Sequence, residues 1–293
     1  MTTLATPAPA KVNLFLHVGP VKPNGRHDLD SLVAFGGIGA SDYVKAELAE
    51  EISLTVTGPF GADAGPVEDN LVLRAAKALQ QAAGVRAGAR IELQKWLPVA
   101  AGIGGGSSDA AAVLRRLTEL WNIDRAHAQR VAPGLGGDVP VALKGAPARM
   151  RGEGERVAPV RLPWISTLLV NPRVACPTGP VFRAFDEAGG GAGFSEIDPW
   201  PEFSSAKELG GWLARQRNDL EGPAIRLVPE IGEVLSLLSQ QRGALLSRMS
   251  GSGATCFALF PELAEAERAS IILRKERPGW WAMPTRLGGD LWT

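Results

Sequence analysis

Residues 98 to 112 of this 293-residue chain read PVAAGIGGGSSDAAA. Glycines in a row permit backbone angles and close approaches that side chains forbid. Set directly before a helical pattern, they turn several unpaired N–H groups toward one place, where the helix dipole favours an anion. The chemistry implied is a phosphate cradle. Composition by itself also permits a flexible loop ending in a Ser or Asp N-cap. Two further places bear on the choice. Asp138 follows Gly136-Gly137 and opens a short apolar segment, where it reads as a helix N-cap or as a carboxylate able to take a hydroxyl proton. Lys11 and Asn13 share one face of an alternating strand, and a solvated sheet face is the default reading for such a pair.

The elements that must position these residues follow from periodicity. Over 10–18, Val12, Leu14, Leu16 and Val18 alternate with Lys11, Asn13, Phe15 and His17, which predicts a half-buried strand. A Pro23-Asn24-Gly25 turn follows, then strands around 31–39, 42–48 and 51–57. A helix is predicted over Leu71 to Ala83, capped by Asp69 or Asn70, and a strand over 89–96. From Ser108 to Trp121 the apolar Ala111, Ala112, Leu114, Leu117 and Leu120 fall at helical spacing, with Arg115, Arg116 and Glu119 outside. The order is therefore strand, glycine loop, helix.

Beyond residue 145, strands are expected at 147–152, 156–161, 166–171, 244–249 and 255–260, with an edge strand at 280–285. Helices are expected from Pro177 and near 205–215, 219–226, 229–241 and 262–275. Residues 188–201, rich in glycine and ending in Asp198-Pro199-Trp200-Pro201, read as a surface loop, plain or acting as a lid. Strands and helices mix without a repeating βαβ rhythm, so the fold class is α+β.

Charge and composition exclude several partners. With 31 basic and 31 acidic residues the chain is neutral, and no apolar run is long enough to span a bilayer, so neither a nucleic-acid nor a membrane partner is expected. The start, MTTLATPAPAK, lacks the pattern of a signal peptide. Cys176 and Cys256 read as buried thiols of a cytoplasmic protein, and monomer and homodimer both stay open.

Three phosphate-binding motifs share the strand–loop–helix logic and can be separated. A Walker loop needs a lysine before its Ser/Thr, and none precedes Ser107. A dinucleotide fingerprint counted from Gly102 or Gly104 lacks its third glycine. The lysine, catalytic-loop and D-F-G elements of protein kinases are missing in sequence order. What remains, Pro98-Val99-Ala100-Ala101-Gly102-Ile103-Gly104-Gly105-Gly106-Ser107-Ser108, resembles the central motif of the GHMP kinases, the family of galactokinase and of homoserine and mevalonate kinases. PAPAKVNLFL at 7–16 is similar to the family's first motif, and RMSGSGATCFALF at 248–260 to its third.

The resemblance implies a two-lobed GHMP kinase fold, with an N-terminal lobe like domain 2 of ribosomal protein S5 (1–160) and a ferredoxin-like C-terminal lobe (161–293). It implies an ATP-dependent small-molecule kinase in which residues 98–108 hold ATP, Asp138 is the base and Lys11 its partner. No cluster of carboxylates has metal spacing, so Mg²⁺ is expected to arrive with the nucleotide, with Ser107 or Ser108 able to reach it. LGGDVPVAL at 135–143, Pro177-Thr178 with Phe182, and Asn218-Asp219-Leu220 resemble the branch that phosphorylates a cytidyl-diphosphate sugar alcohol in isoprenoid precursor synthesis. A mevalonate- or homoserine-type acceptor, and a non-catalytic ligand sensor, are the alternatives. In that branch a histidine and aromatic rings hold the cytosine. By position His27 matches the histidine and Phe182 one ring, with Asn13 and Thr178 nearby in the motifs. Arg26 stands where a tyrosine is usual and Val33 where another aromatic is. An arginine plane can stack on a base, so Arg26 is a candidate replacement, or else it faces solvent or the substrate's diphosphate.

Overall fold

The computed structural model describes residues 5–288 except 192, 195, 196 and 198, so parts of the 188–201 loop, Asp198 included, lie outside the described residues. In chain order the first elements are β1 (Thr6–Pro9), β2 (Lys11–Val21), β3 (His27–Phe35), β4 (Ser41–Ala49) and β5 (Ser53–Thr57). Then come α1 (Leu71–Ala83), β6 (Gly88–Gln94), α2 (Gly105–Leu120), α3 (Arg125–Leu135) and α4 (Val139–Lys144). The chain continues through β7 (Ala148–Gly152), β8 (Arg156–Pro159), β9 (Ile165–Asn171), α5 (Thr178–Glu187), α6 (Ala206–Leu213), α7 (Glu221–Leu227) and α8 (Glu230–Ser239). It closes with β10 (Leu246–Met249), β11 (Cys256–Phe260), α9 (Leu263–Glu276) and β12 (Trp281–Leu287).

Two compact units emerge, and they interleave along the chain instead of meeting at one boundary. The first comprises residues 1–10, 40–99 and 104–145; the second comprises 11–39, 100–103 and 146–293. The first unit holds a sheet of order β1-β4-β6-β5 with α1 to α4. Its β5–β6 pair is parallel, which requires a crossover, and α1 supplies it. Asn70 caps α1 by accepting from the Val72 N–H, and Gly84 ends it at a φ of 64°. A cap contributes about 1 kcal/mol. Each buried Val or Leu contributes about 1.5–3 kcal/mol. Val72, Leu73 and Leu79 all go inward, so packing against α2 and the sheet, more than capping, holds the helix.

The second unit holds two antiparallel sheets, β2-β3-β7-β8 and β10-β11-β9-β12, with α5 to α9. β12 is an edge strand, as expected, and both cysteines are buried and unbridged. β2 differs from expectation. It is buried on both faces from Lys11 to Gly19, and a register shift between Asn13 and Phe15 breaks the simple alternation. The cause is a second cover: Phe15 meets His17 at 4.8 Å and Trp212 of α6 at 5.7 Å, and Trp200 and Phe203 pack on Trp212. A solvated face for Lys11 and Asn13 is thereby excluded, since they are only 5% and 6% exposed.

Candidate functional site

The glycine loop is built from backbone. Gly102 and Gly104 have φ of 73° and 60°, and Ala100 also lies at positive φ, 49°. A Cβ on Gly102 would stand 2.6 Å from the carbonyl oxygens of both Ser250 and Gly253, so no other residue fits. α2 starts at Gly105, three residues earlier than its apolar period suggests, with Gly104 as its N-cap and no side chain on the cap. A Ser or Asp cap is therefore excluded, and Ser107, Ser108 and Asp109 lie inside the first turns. The first helical bond into α2 from the loop runs from Ser108 N–H to Gly104 C=O, 2.9 Å. The N–H groups of Gly105, Gly106 and Ser107 have no acceptor within the helix and stand at its positive end. The Ser108 hydroxyl is buried with no hydrogen-bond partner, the kind of orphaned polar atom that a ligand or ion satisfies.

Close to this first turn, in the same unit, lies an ion cluster that the motif reading missed. Lys95 is buried, and its ammonium donates to Asp42 Oδ2 and, at 2.7 Å, to Asp109 Oδ2. Asp42 Oδ1 accepts from the backbone N–H groups of Trp96 and Leu97, the latter at 2.8 Å. Burial drives the Asp109 carboxyl up to about 7, against the pull of Lys95. Burial works against the Lys95 charge too, but the two carboxylates outweigh it and raise its pKa. A signal was present: Lys95 falls on the parity of Ala89, Ile91 and Leu93, the buried face of β6.

Asp138 occupies the N-cap position of α4 but has helical φ and ψ, and its side chain makes no cap hydrogen bond. Its carboxylate therefore does not cap the helix it precedes.

In the second unit, the start of β2, residues 101–103 and the turn after β10 are laced together. Lys11 N–H donates to Ile103 C=O at 2.8 Å, and Thr255 N–H to Ala101 C=O at 3.1 Å. The Ser250 hydroxyl accepts from Asn13 N–H at 3.1 Å and donates to Gly102 C=O at 3.0 Å. Asn13 Nδ2 donates to Ser31 Oγ at 2.8 Å. Thr178, at the start of α5, pairs with Ser252 at 2.8 Å, and Asn218 Nδ2 donates to the carbonyls of Met249 and Gly251. The third glycine motif thus gathers Asn13, Gly102, Thr178 and Asn218.

His27 and Phe182 are also brought together, ring centroids 5.1 Å apart, with Phe185 5.8 Å from the same histidine. His27 Nδ1 is 2.9 Å from Gly19 C=O, and its Nε2 is 3.5 Å from Asp186. Arg26 goes elsewhere. Its side chain is 71% exposed and donates to Glu153 at 2.9 Å, beside Lys22 and Asn24, and these three hydrogen bonds pull the Glu153 carboxyl down to about 2. Val33 is fully buried between Asn13 and Ala148 in its sheet and lines no surface.

Among the described residues no group of three or more His, Cys, Asp or Glu side chains could hold a metal ion, and no helix is long and apolar enough to cross a membrane. The model of the GHMP kinases N terminal domain matches residues 70–146, and that of the GHMP kinases C terminal matches residues 201–277. The chain is 65% identical over 284 residues to 4-diphosphocytidyl-2-C-methyl-D-erythritol kinase of Hyphomonas neptunium, covering 96% of this chain and 95% of the relative. It belongs to the GHMP kinase family. A relative of the same name from Cereibacter sphaeroides is 48% identical over 288 residues, 96% of this chain and 98% of that one. A crystal structure of 4-(cytidine 5'-diphospho)-2C-methyl-D-erythritol kinase aligns with a TM-score of 0.77 at 36% identity, over 98% of this chain and 100% of that one. Mevalonate kinase of Methanococcus jannaschii shares the fold, with a TM-score of 0.64 at 11% identity over 98% and 99% of the two chains. As a GHMP kinase, the chain is an ATP-dependent small-molecule kinase.

Proposed function

We propose that this GHMP kinase transfers the γ-phosphoryl group of ATP to the 2-hydroxyl of 4-diphosphocytidyl-2-C-methyl-D-erythritol, in cytoplasmic synthesis of isoprenoid precursors by the non-mevalonate route. The observation that carries the acceptor is the 65% identity to a kinase of that name across almost the whole chain. The pairing of His27 with Phe182 supports it, because a ring pair with a polar edge suits a pyrimidine base.

In this reading the N–H groups of Gly105 to Ser107 hold the nucleotide phosphates, that of Ser108 being taken up by the Gly104 carbonyl, and Pro98 to Ile103 shape the loop that carries them. Asp138 accepts the proton of the attacking hydroxyl, a role supported by a carboxylate that caps no helix. Lys11 favours the charge that develops on the acceptor oxygen and the transferring group. Asn13 and Thr178, each tied to the third glycine motif, orient the acceptor. Mg²⁺, when bound, neutralises charge shared between phosphate oxygens, and the unpartnered Ser108 hydroxyl, or that of Ser107, is the protein group that fits it.

The test is phosphotransfer by purified protein with ATP against the cytidyl substrate, mevalonate and homoserine, read as ADP release. The cytidyl compound is expected to give the highest kcat/KM, and a higher value with either other alcohol overturns the assignment. For the base, Asp138→Asn should lower kcat by about 10²- to 10⁴-fold while ATP still binds. Near-normal turnover in that variant would remove Asp138 from the role.

A further inference from the structure

The Lys95 cluster reaches both ends of the glycine loop. At the entrance, Asp42 Oδ1 holds the N–H groups of Trp96 and Leu97. At the far end, Asp109 sits on the second turn of α2 and takes a hydrogen bond from Lys95 at 2.7 Å. The lysine joins the two carboxylates, so one buried set of charges fixes where the chain enters the loop and where it leaves.

The lysine is itself held rigidly. Its backbone N–H donates to Thr57 C=O at 2.8 Å, and its C=O accepts from Phe60 N–H at 3.2 Å. The backbone of Gly58 lies so close that a Cβ there would stand 2.5 Å from Lys95 O. The ammonium lies 3.5 Å from the point where a Cβ on Gly105 would stand, directly against the first residue of α2. A buried ion trio of this kind is weak evidence of added stability, since well-packed apolar residues often do as well, and its worth lies in geometry.

We propose that Lys95 is a positioning residue for the nucleotide loop. By tying Asp42 to Asp109, it sets the chain at Trp96 and Leu97 against the first turns of α2 so that the N–H groups of Gly105 to Ser107 present to phosphate. This rests on reading 98–108 as the nucleotide loop. The lysine acts through the backbone that it fixes. Its loss therefore damages binding of the α- and β-phosphates more than that of the nucleoside.

The experiment compares the affinities of ATP, ADP and adenosine, by calorimetry with adenosine in competition, for wild type, Lys95→Met, Asp109→Leu, Asp109→Asn and Gly106→Val. Lys95→Met is expected to weaken ATP and ADP by about tenfold or more, each tenfold being about 1.4 kcal/mol. Adenosine should change by less than about threefold. Lys95→Met leaves two carboxylates buried without their cation and can fail to fold. Asp109→Leu keeps the Lys95–Asp42 pair, cuts only the tie to α2, and is expected to give the same nucleotide pattern. Asp109→Asn keeps an acceptor for the ammonium and should recover most of what Asp109→Leu loses. Equal weakening of ATP, ADP and adenosine, or no weakening in a folded Asp109→Leu variant, overturns the proposal. Gly106→Val separates this from the underlying reading: a Cβ at 106 has nothing within 4 Å, so unchanged ATP affinity there means that 98–108 is not the phosphate loop.

Discussion

The glycine loop and the surroundings of His27, the two regions we propose for recognition, are built by opposite means. The loop offers backbone N–H groups, positive φ angles at Ala100, Gly102 and Gly104, and a side-chain-free approach to the Ser250–Gly253 turn. Around His27 the groups on offer are mainly side chains, the Phe182 and Phe185 rings and the Asp186 carboxylate, with the backbone carbonyl of Gly19 orienting the imidazole. Backbone recognition tolerates almost no change in residue type but is indifferent to which base or sugar follows the phosphates. Side-chain recognition can be rebuilt from different residues, and a single position there carries less information.

The sharpest contrast is at Gly102. Gly102→Ala combines a strained φ, worth about 1–3 kcal/mol, with a collision against two carbonyl oxygens, worth about 1–3 kcal/mol more. The expected loss is about 4 kcal/mol of stability, seen as a lower urea midpoint, together with ATP binding. A variant as stable as wild type would show that the loop bends at little expense and that backbone geometry is not what limits this region.

On the other side, Phe182→Ala should leave the fold and ATP affinity nearly intact. It should raise KM for the cytidyl acceptor by about 5- to 100-fold, the range for removing one aromatic partner of a base. An equal rise in KM for ATP would mean that Phe182 supports the fold around α5 and not the base.

What could be read in advance follows the same division. Glycine spacing, the α1 boundaries with the Asn70 cap and the apolar periods of α2 and β6 are local, and each is legible from a few neighbouring residues. Where α2 begins depended on glycine serving as N-cap at a left-handed φ, which the Ser-Ser-Asp run concealed. α3 carries a proline and few apolar residues, so its period is faint. The pairings that decide side-chain chemistry are distant: Lys95 with Asp42 across 53 residues, and Arg26 with Glu153 across 127. No local pattern announces either one. For Lys95, the single clue was a charge on a buried parity.

Outside both regions, β2 should respond to acid. His17, next to Phe15 in β2 and buried, has both ring nitrogens without hydrogen-bond partners, and burial, helped by Arg217, lowers its pKa from 6.5 to about 4. The unfolded chain therefore binds a proton that the folded chain refuses. Its contribution is intact above pH 6.5 and is lost as pH falls toward 4. Between pH 7 and pH 5 the loss is about 2 kcal/mol. His17→Phe should remove that part of the decline, so the difference in urea midpoint between variant and wild type should widen in the variant's favour from pH 7 to pH 5. A constant difference would mean that His17 is protonated in the folded protein.

The smallest effect is expected at Arg26, whose side chain is spent on Glu153. Arg26 follows the turn before His27, yet it is largely exposed and engaged with Glu153, which Lys22 and Asn24 also hold. Such an exposed pair adds little to stability. Removing Arg26 leaves Glu153 with Lys22 and Asn24, so Arg26→Ala should leave the urea midpoint unchanged. If its guanidinium instead swings onto the cytosine when substrate arrives, Arg26→Ala would raise KM for the cytidyl acceptor severalfold with kcat and KM for ATP unmoved. A change under twofold would leave base recognition to His27 and Phe182, with the arginine serving only to fasten the turn that carries the histidine.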